Sequence, residues 1–214
     1  MTYGLAGFVT SHRTGVPSIV FAWERRIPFL AWSIVPYWSI DVFYGLSVFV
    51  CKTRAELDML VRRLLTAQII AVTCFLLFPL RFAFSRPVTD GIPHVLFRAL
   101  AAVDRPFNQA PSLHIALLVI LWRLYAKHVS GVARTLLHSW FALIGISVLT
   151  TYQHHVFDVP TGALLGLFSV WLWPDEESKC TSELRTLVPD LRRTPPWPGR
   201  QHAEIRRDST SAAV

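Results

Sequence analysis

Charge is what this chain has least of. Asp, Glu, Lys and Arg make up 16% of its 214 residues, where a soluble domain carries about a quarter. Apolar residues reach 52%, and the mean hydropathy is +0.40. This excludes an ordinary soluble domain and points to an integral membrane protein. Cysteine is sparse as well. Cys51, Cys74 and Cys180 offer no disulfide framework, and two of them fall in apolar runs, where a thiol behaves as a small hydrophobe. A cleavable leader is not evident, since "MTYGLAGFVTS" lacks a basic start and a small-residue cleavage site. The net charge of +7 comes without any nucleic-acid-binding motif. No internal repeat is present.

What is there is a series of apolar runs. A spanning helix needs about 20 mostly apolar residues. Five segments approach that: Ile27–Cys51, Leu64–Phe84, Ser112–Ala126, Leu136–Tyr152 and Phe157–Trp173. The expected fold is all-α, a polytopic transmembrane helix bundle with five clear spans. Residues 1–26 form an N-terminal segment in which Tyr3–Val9 is too short to span and reads as the remnant of a first helix. Residues 27–173 form the membrane domain. Residues 174–214 are a basic tail rich in Pro, Arg, Ser and Thr, too poor in apolar material for a core and expected to be mostly disordered. Seven of the 21 Lys and Arg follow Trp173. Lys52–Arg63 and Lys127–Arg134 are also basic, so these three segments share the cytoplasmic side.

That topology sends "RFAFSRP" (Arg81–Pro87), "PSLH" (Pro111–His114) and "HHVFD" (His154–Asp158) to the opposite, non-cytoplasmic face. His154 and Asp158 are four apart. A carboxylate that accepts from one imidazole nitrogen fixes the tautomer and leaves the other nitrogen as base or nucleophile. Pro160 suits a first helical turn, so a regular helix beginning near Asp158 leaves His154 on the turn before it. Pro111 likewise marks a helix start, with the N–H groups of Ser112, Leu113 and His114 free to meet an anion. Ser112 adds a hydroxyl and His114 a proton donor. Arg81 and Arg86 add fixed positive charge. These groups suit a phosphate ester. Nothing in the set looks like an acyl-transfer or glycosidase site.

The three segments resemble the signature motifs of the type 2 phosphatidic acid phosphatase superfamily, whose patterns are K-x6-R-P, P-S-G-H and S-R-x5-H-x3-D. The likeness runs from roughly Leu64 to Trp173. It implies a six-helix membrane core, here truncated at its N-terminus, and a phosphatase or phosphotransferase acting on lipid phosphates or diphosphates. By that resemblance His154 is the nucleophile that forms a phosphohistidine, Asp158 orients it, and His114 protonates the leaving alcohol. Arg86 and Ser112 hold phosphate oxygens, joined by Arg81 or Arg105. The chain departs from the pattern at three points. The first-motif lysine falls at Pro79, the third-motif arginine is Val148 after Ser147, and the glycine of P-S-G-H is Leu113. "PSLH" and the doubled histidine are similar to the inositol phosphorylceramide synthase branch, which transfers a head group between lipids. A phosphodiester carries less charge than a monoester and suits a site with fewer cations. Phosphatase is the first reading and head-group transferase the alternative.

The implied partners are a lipid phosphate substrate and membrane lipids, without nucleic acid, metal or other cofactor. The expected location is a cell inner membrane. Two readings of other classes stand beside this one. His114, His138 and His154 could serve a haem or metal. Alternatively the chain is a scaffold whose tail, Glu176–Val214, recruits a partner. His155 reads as an interfacial or supporting residue, and His138 as a packed histidine bonded to a neighbouring helix. Asp41, a carboxylate inside a span, reads as paired with an arginine or facing substrate.

Overall fold

A computed structural model describes residues 15–103 and 109–175. The expected tail beyond Asp175, the Tyr3–Val9 remnant and Arg105 lie outside these residues. Within them the protein is all-helical, with no strand: α1 (Ile34–Val50), α2 (Arg54–Leu77), α3 (Gly91–Val103), α4 (Leu113–His128), α5 (Gly131–Thr150) and α6 (Asp158–Leu172). Two short 3-10 turns, Ala22–Arg26 and Ala31–Ser33, precede them. Three stretches are long and apolar enough to cross a membrane: Ala31–Val50, Arg54–Leu77 and Gly131–Thr150.

Local chemistry sets the boundaries. Thr53 caps α2 by accepting from the Glu56 N–H at 3.1 Å, while the Glu56 carboxylate reaches back to the Lys52 N–H at 2.9 Å. This cap starts α2 at Arg54 rather than Leu64, so the basic segment expected as a loop is largely the first turns of a helix. Pro79 cannot continue it, and α2 stops at Leu77 rather than Phe84. The first expected span becomes helical only at the Ala31–Ser33 turn that leads into α1. Helix α3 lies in a region read as a connection.

Two apolar clusters form the core, and α4 belongs to both. One joins Ile34, Tyr37 and Ile40 of α1 with Phe97 and Leu100 of α3, Ile115, Leu118 and Leu121 of α4, and Phe141, Ile144 and Val148 of α5. The other joins Leu60, Ala67, Ala71 and Phe75 of α2 with Leu113, Ala116, Ile120 and Leu124 of α4 and Leu165 of α6. Gly162 and Gly166, one turn apart, bring α6 against α4. A Cβ at Gly162 would lie 2.4 Å from the Ser112 carbonyl, and one at Gly166 would lie 2.8 Å from that of Ala116. Small residues at this spacing let membrane helices approach backbone to backbone.

At the end of the bundle away from residues 111 and 158, charges knit the helix termini. Arg63, buried, donates to the Trp173 carbonyl and to Asp175, which also accepts from Arg123 at 2.7 Å. Glu56 pairs with Lys127 and His128. His138 on α5 accepts from the Trp122 indole on α4, as expected for a packed histidine. Asp41 is exposed on α1 and makes no ion pair with an arginine among the described residues.

Candidate active site

The turn between α5 and α6 carries the His154–Asp158 pair. Helix α5 ends in a Schellman arrangement. The Tyr152 N–H donates to the Leu149 carbonyl, and those of Gln153 and His154 donate to that of Val148, at 3.1–3.2 Å. Tyr152 occupies the left-handed position with φ 54°, where glycine is usual. Its side chain holds it there: the hydroxyl donates to the Ile27 carbonyl at 2.9 Å, and the ring packs against Phe29, Phe82 and Phe84. The chain then reverses, leaving His154 on the turn and Asp158 as the first residue of α6.

His154 and Asp158 are both buried, with Nδ1 and Oδ2 3.3 Å apart. A carboxylate oxygen only accepts here, so the proton lies on Nδ1 and Nε2 is left to react. The same Asp158 oxygen accepts from the His155 N–H at 2.8 Å, and with the Gln109 amide turned nitrogen-inward, the orientation that pairs a donor with each neighbouring acceptor, it also accepts from Gln109 at 3.0 Å. A negative group at this helix start also complements the helix dipole.

The first turn of α4 lies alongside. The Ser112 N–H donates to the Asp158 carbonyl at 3.3 Å, tying the two helix starts together. It is therefore not free for an anion, contrary to expectation. The Leu113 and His114 N–H groups remain, with no partner among the described residues. The Ser112 oxygen caps α4 by accepting from the Ile115 N–H, which leaves its hydroxyl proton available. His114 stacks on Tyr37 with ring centroids 4.2 Å apart. Its Nε2 is buried and has no partner among the described residues, as is the case for the Gln153 amide nitrogen. A buried polar atom without a partner costs about 1–3 kcal/mol, a cost that a bound acceptor would relieve.

The arginines divide. Residues 81–87 form neither helix nor strand, and their burial alternates: Phe82, Phe84 and Arg86 are half-buried, while Arg81, Ala83, Ser85 and Pro87 are exposed. Arg86 donates to the Thr151 and Tyr152 carbonyls at 3.3 Å and lies over the Phe97 ring. It thereby neutralises the carbonyl end of α5 beside His154. Arg81 points outward, and its backbone N–H donates to Pro17. It is exposed and is not brought to the site, since the alternation of burial along this segment puts it on the side opposite to Arg86. Arg98 is exposed on α3. His138 is held by Trp122, eight residues beyond His114 and so about 12 Å along α4. The three histidines of a haem or metal reading thus do not converge.

Sequence reasoning missed Gln109, Tyr37 and Glu24. Glu24 is buried, and its Oε2 accepts from His155 Nδ1 at 2.8 Å. The only signal for it was an isolated carboxylate in the arginine-flanked "WERR". Gln109 and Tyr37 carried none.

No protein-family model, curated protein or solved structure matches the chain. The reading of the site rests on its geometry: an imidazole–carboxylate pair, a second imidazole with an open nitrogen, a guanidinium and a helix start, gathered at one end of an apolar helical bundle.

Proposed function

We propose that the protein is an integral-membrane phosphoryl-transfer enzyme acting on lipid phosphates or diphosphates. In this reading it belongs with the type 2 phosphatidic acid phosphatase superfamily. The observation that carries it is the union of His154–Asp158 with the first turn of α4, where the Ser112 N–H meets the Asp158 carbonyl and His114 keeps an open Nε2.

The His154 Nε2 lone pair attacks phosphorus. The bond from phosphorus to the lipid alcohol breaks, and His114 gives its proton to the leaving oxygen. Asp158 supports the imidazolium. Arg86, the Ser112 hydroxyl and the Leu113 and His114 N–H groups receive the developing negative charge. An acceptor then yields its proton to His114 and attacks the phosphohistidine, and the P–N bond breaks. Water as acceptor makes a phosphatase, which is the first reading; a lipid hydroxyl makes a transferase. One observation favours the second. Arg86 is the one guanidinium in contact with the His154 turn among the described residues, and a single cation suits a diester better than a doubly charged monoester.

The membrane arrangement in this proposal has five spans, α1, α2, α4, α5 and α6. Helices α4 and α6, with 16 and 15 residues, measure about 24 and 22 Å, short of the ~30 Å hydrocarbon core. Their flanking turns supply the remainder. The site faces the non-cytoplasmic side of a cell inner membrane, opposite the basic end formed by Arg54, Arg62, Arg63, Arg123 and Lys127.

The test is incubation of purified protein with labelled lipid phosphates, with and without alcohol acceptors. Free phosphate identifies hydrolysis and a new labelled lipid identifies transfer. His154→Ala and His114→Ala each abolish turnover while the chain still inserts. Full activity in the His154 variant refutes the assignment.

A further inference from the structure

Beside the reactive pair lies a second carboxylate–imidazole pair that the proposed chemistry does not use. The His155 ring is buried. Its Nδ1 meets Glu24 Oε2 at 2.8 Å, and its Nε2 accepts from the Ala83 N–H at 3.0 Å. The other Glu24 oxygen accepts from the Phe21 N–H at 3.0 Å. Phe82 stacks on the ring, centroids 4.4 Å apart, and Phe84 meets it edge-on. Every polar atom of the pair is satisfied, so it has no vacancy for a ligand. The backbone N–H of the same His155 donates to the Asp158 oxygen that also faces His154.

We propose that Glu24 and His155 are positioning residues: the Glu24 carboxylate fixes the His155 tautomer and ring, and His155 in turn aims Asp158 and His154. The inference rests on the phosphoryl-transfer reading only for its kinetic consequence. Three distant segments meet at this one ring, so its orientation is set by long-range contacts and not by the turn alone. The hydrogen-bond pattern is directional. Ala83 can only donate, so Nε2 must accept and Nδ1 must carry the proton. A glutamine at position 24 fills the same volume but must aim its NH2 group at either His155 Nδ1–H or the Phe21 N–H. One donor then faces another. An isosteric change that would pass unnoticed at a packing position is disruptive here.

The experiment uses the full chain in lipid nanodiscs with 15N-labelled histidine, signals being assigned by single substitutions. In the wild type, His155 shows the Nδ1–H tautomer. In Glu24→Gln that signature is lost, the His154 resonance shifts, and kcat on a labelled lipid phosphate falls about 10- to 100-fold with KM little changed, as displacement of a reacting group by about 1 Å allows. His155→Asn keeps a donor for Glu24, so it loses less turnover than His155→Phe, which keeps only the packing. If Glu24→Gln does not fold, the order of these two variants decides. An unmoved His154 resonance in Glu24→Gln, or equal losses in the two His155 variants, overturns the proposal. A wild type without turnover sinks the phosphoryl-transfer reading alone, and the His154 resonance then judges the positioning role by itself.

Discussion

Asp158 holds more of the site than any other side chain, since one of its oxygens serves His154, the His155 backbone and Gln109. Asp158→Asn replaces an all-acceptor group with one that presents a donor to the same neighbours. Turnover of a labelled lipid phosphate is expected to fall at least about 100-fold, with the helical circular dichroism unchanged. Gln109→Ala removes one of three donors and is expected to cost about tenfold in kcat, the loss of a neutral hydrogen bond of about 1–1.5 kcal/mol. His154, Asp158, His114 and Ser112 were legible in the sequence because short spacings carry them: four residues for the pair, and a proline-marked helix start for the rest. Arg81 misled because nearness to Arg86 in sequence does not say which way each side chain turns, a fact hidden until the course of residues 79–90 is known. Glu24, Gln109 and Tyr37 were illegible for a different reason. Each reaches the site through a contact between segments far apart in sequence, and no local pattern encodes such a contact.

At the scale of the element, the α4–α6 contact is the one that sets the distance between the two helix starts. Gly162→Ala places a methyl group 2.4 Å from a backbone oxygen and forces the helices apart. Overpacking of this kind costs about 1–3 kcal/mol. The expected result is a lower unfolding temperature together with loss of turnover. Gly45→Ala, which meets nothing within 4 Å, is expected to change neither. Helix α3 makes a second case. With 13 residues it is about 20 Å long, too short to span. Phe97 and Leu100 face the core, Ile92 and Val95 are exposed, and His94 and Arg98 form a polar stripe. Those three faces match a helix lying in the membrane interface. With the native cysteines replaced, an environment-sensitive dye at Val95→Cys is expected to shift to the blue in vesicles, and one at Arg98→Cys to report water. Equal spectra at the two positions would contradict this placement. With 13 residues the apolar run of this helix was too short to register as a span in the sequence. The true start of α2 was legible in principle: Thr53 and Glu56 are a capping pair, obscured by the charge that surrounds them.

Across the whole molecule, the two ends differ in chemistry. One end gathers imidazoles and open N–H groups. The other is cross-linked by ion pairs around Asp175. Burial pushes the Asp175 carboxyl up, but the hydrogen bond to Arg123 and the charges of Arg63 and Arg123 outweigh it and hold the group below its ordinary value of 3.8. A carboxyl depressed in the folded state lends stability that is full above that ordinary value and is lost as pH falls from there through the lower folded-state value. Thermal melts are therefore expected to lose stability below about pH 4 in the wild type. Asp175→Asn is expected to melt lower at neutral pH, with part of this acid dependence removed. A variant that melts like the wild type at neutral pH would show that the ion pairs do not hold this end. The all-helical, membrane-embedded class was readable from composition and run length alone, because the bilayer allows few alternatives.

A member of the bundle that is shared by both packed clusters and welded along its length to its neighbour has no freedom to swing. Helix α4 is that member. The segments that bear Phe29 and Phe82 are tied to the α5–α6 turn by far less, a few hydrogen bonds and ring contacts, so any widening of the proposed site is expected to begin with them.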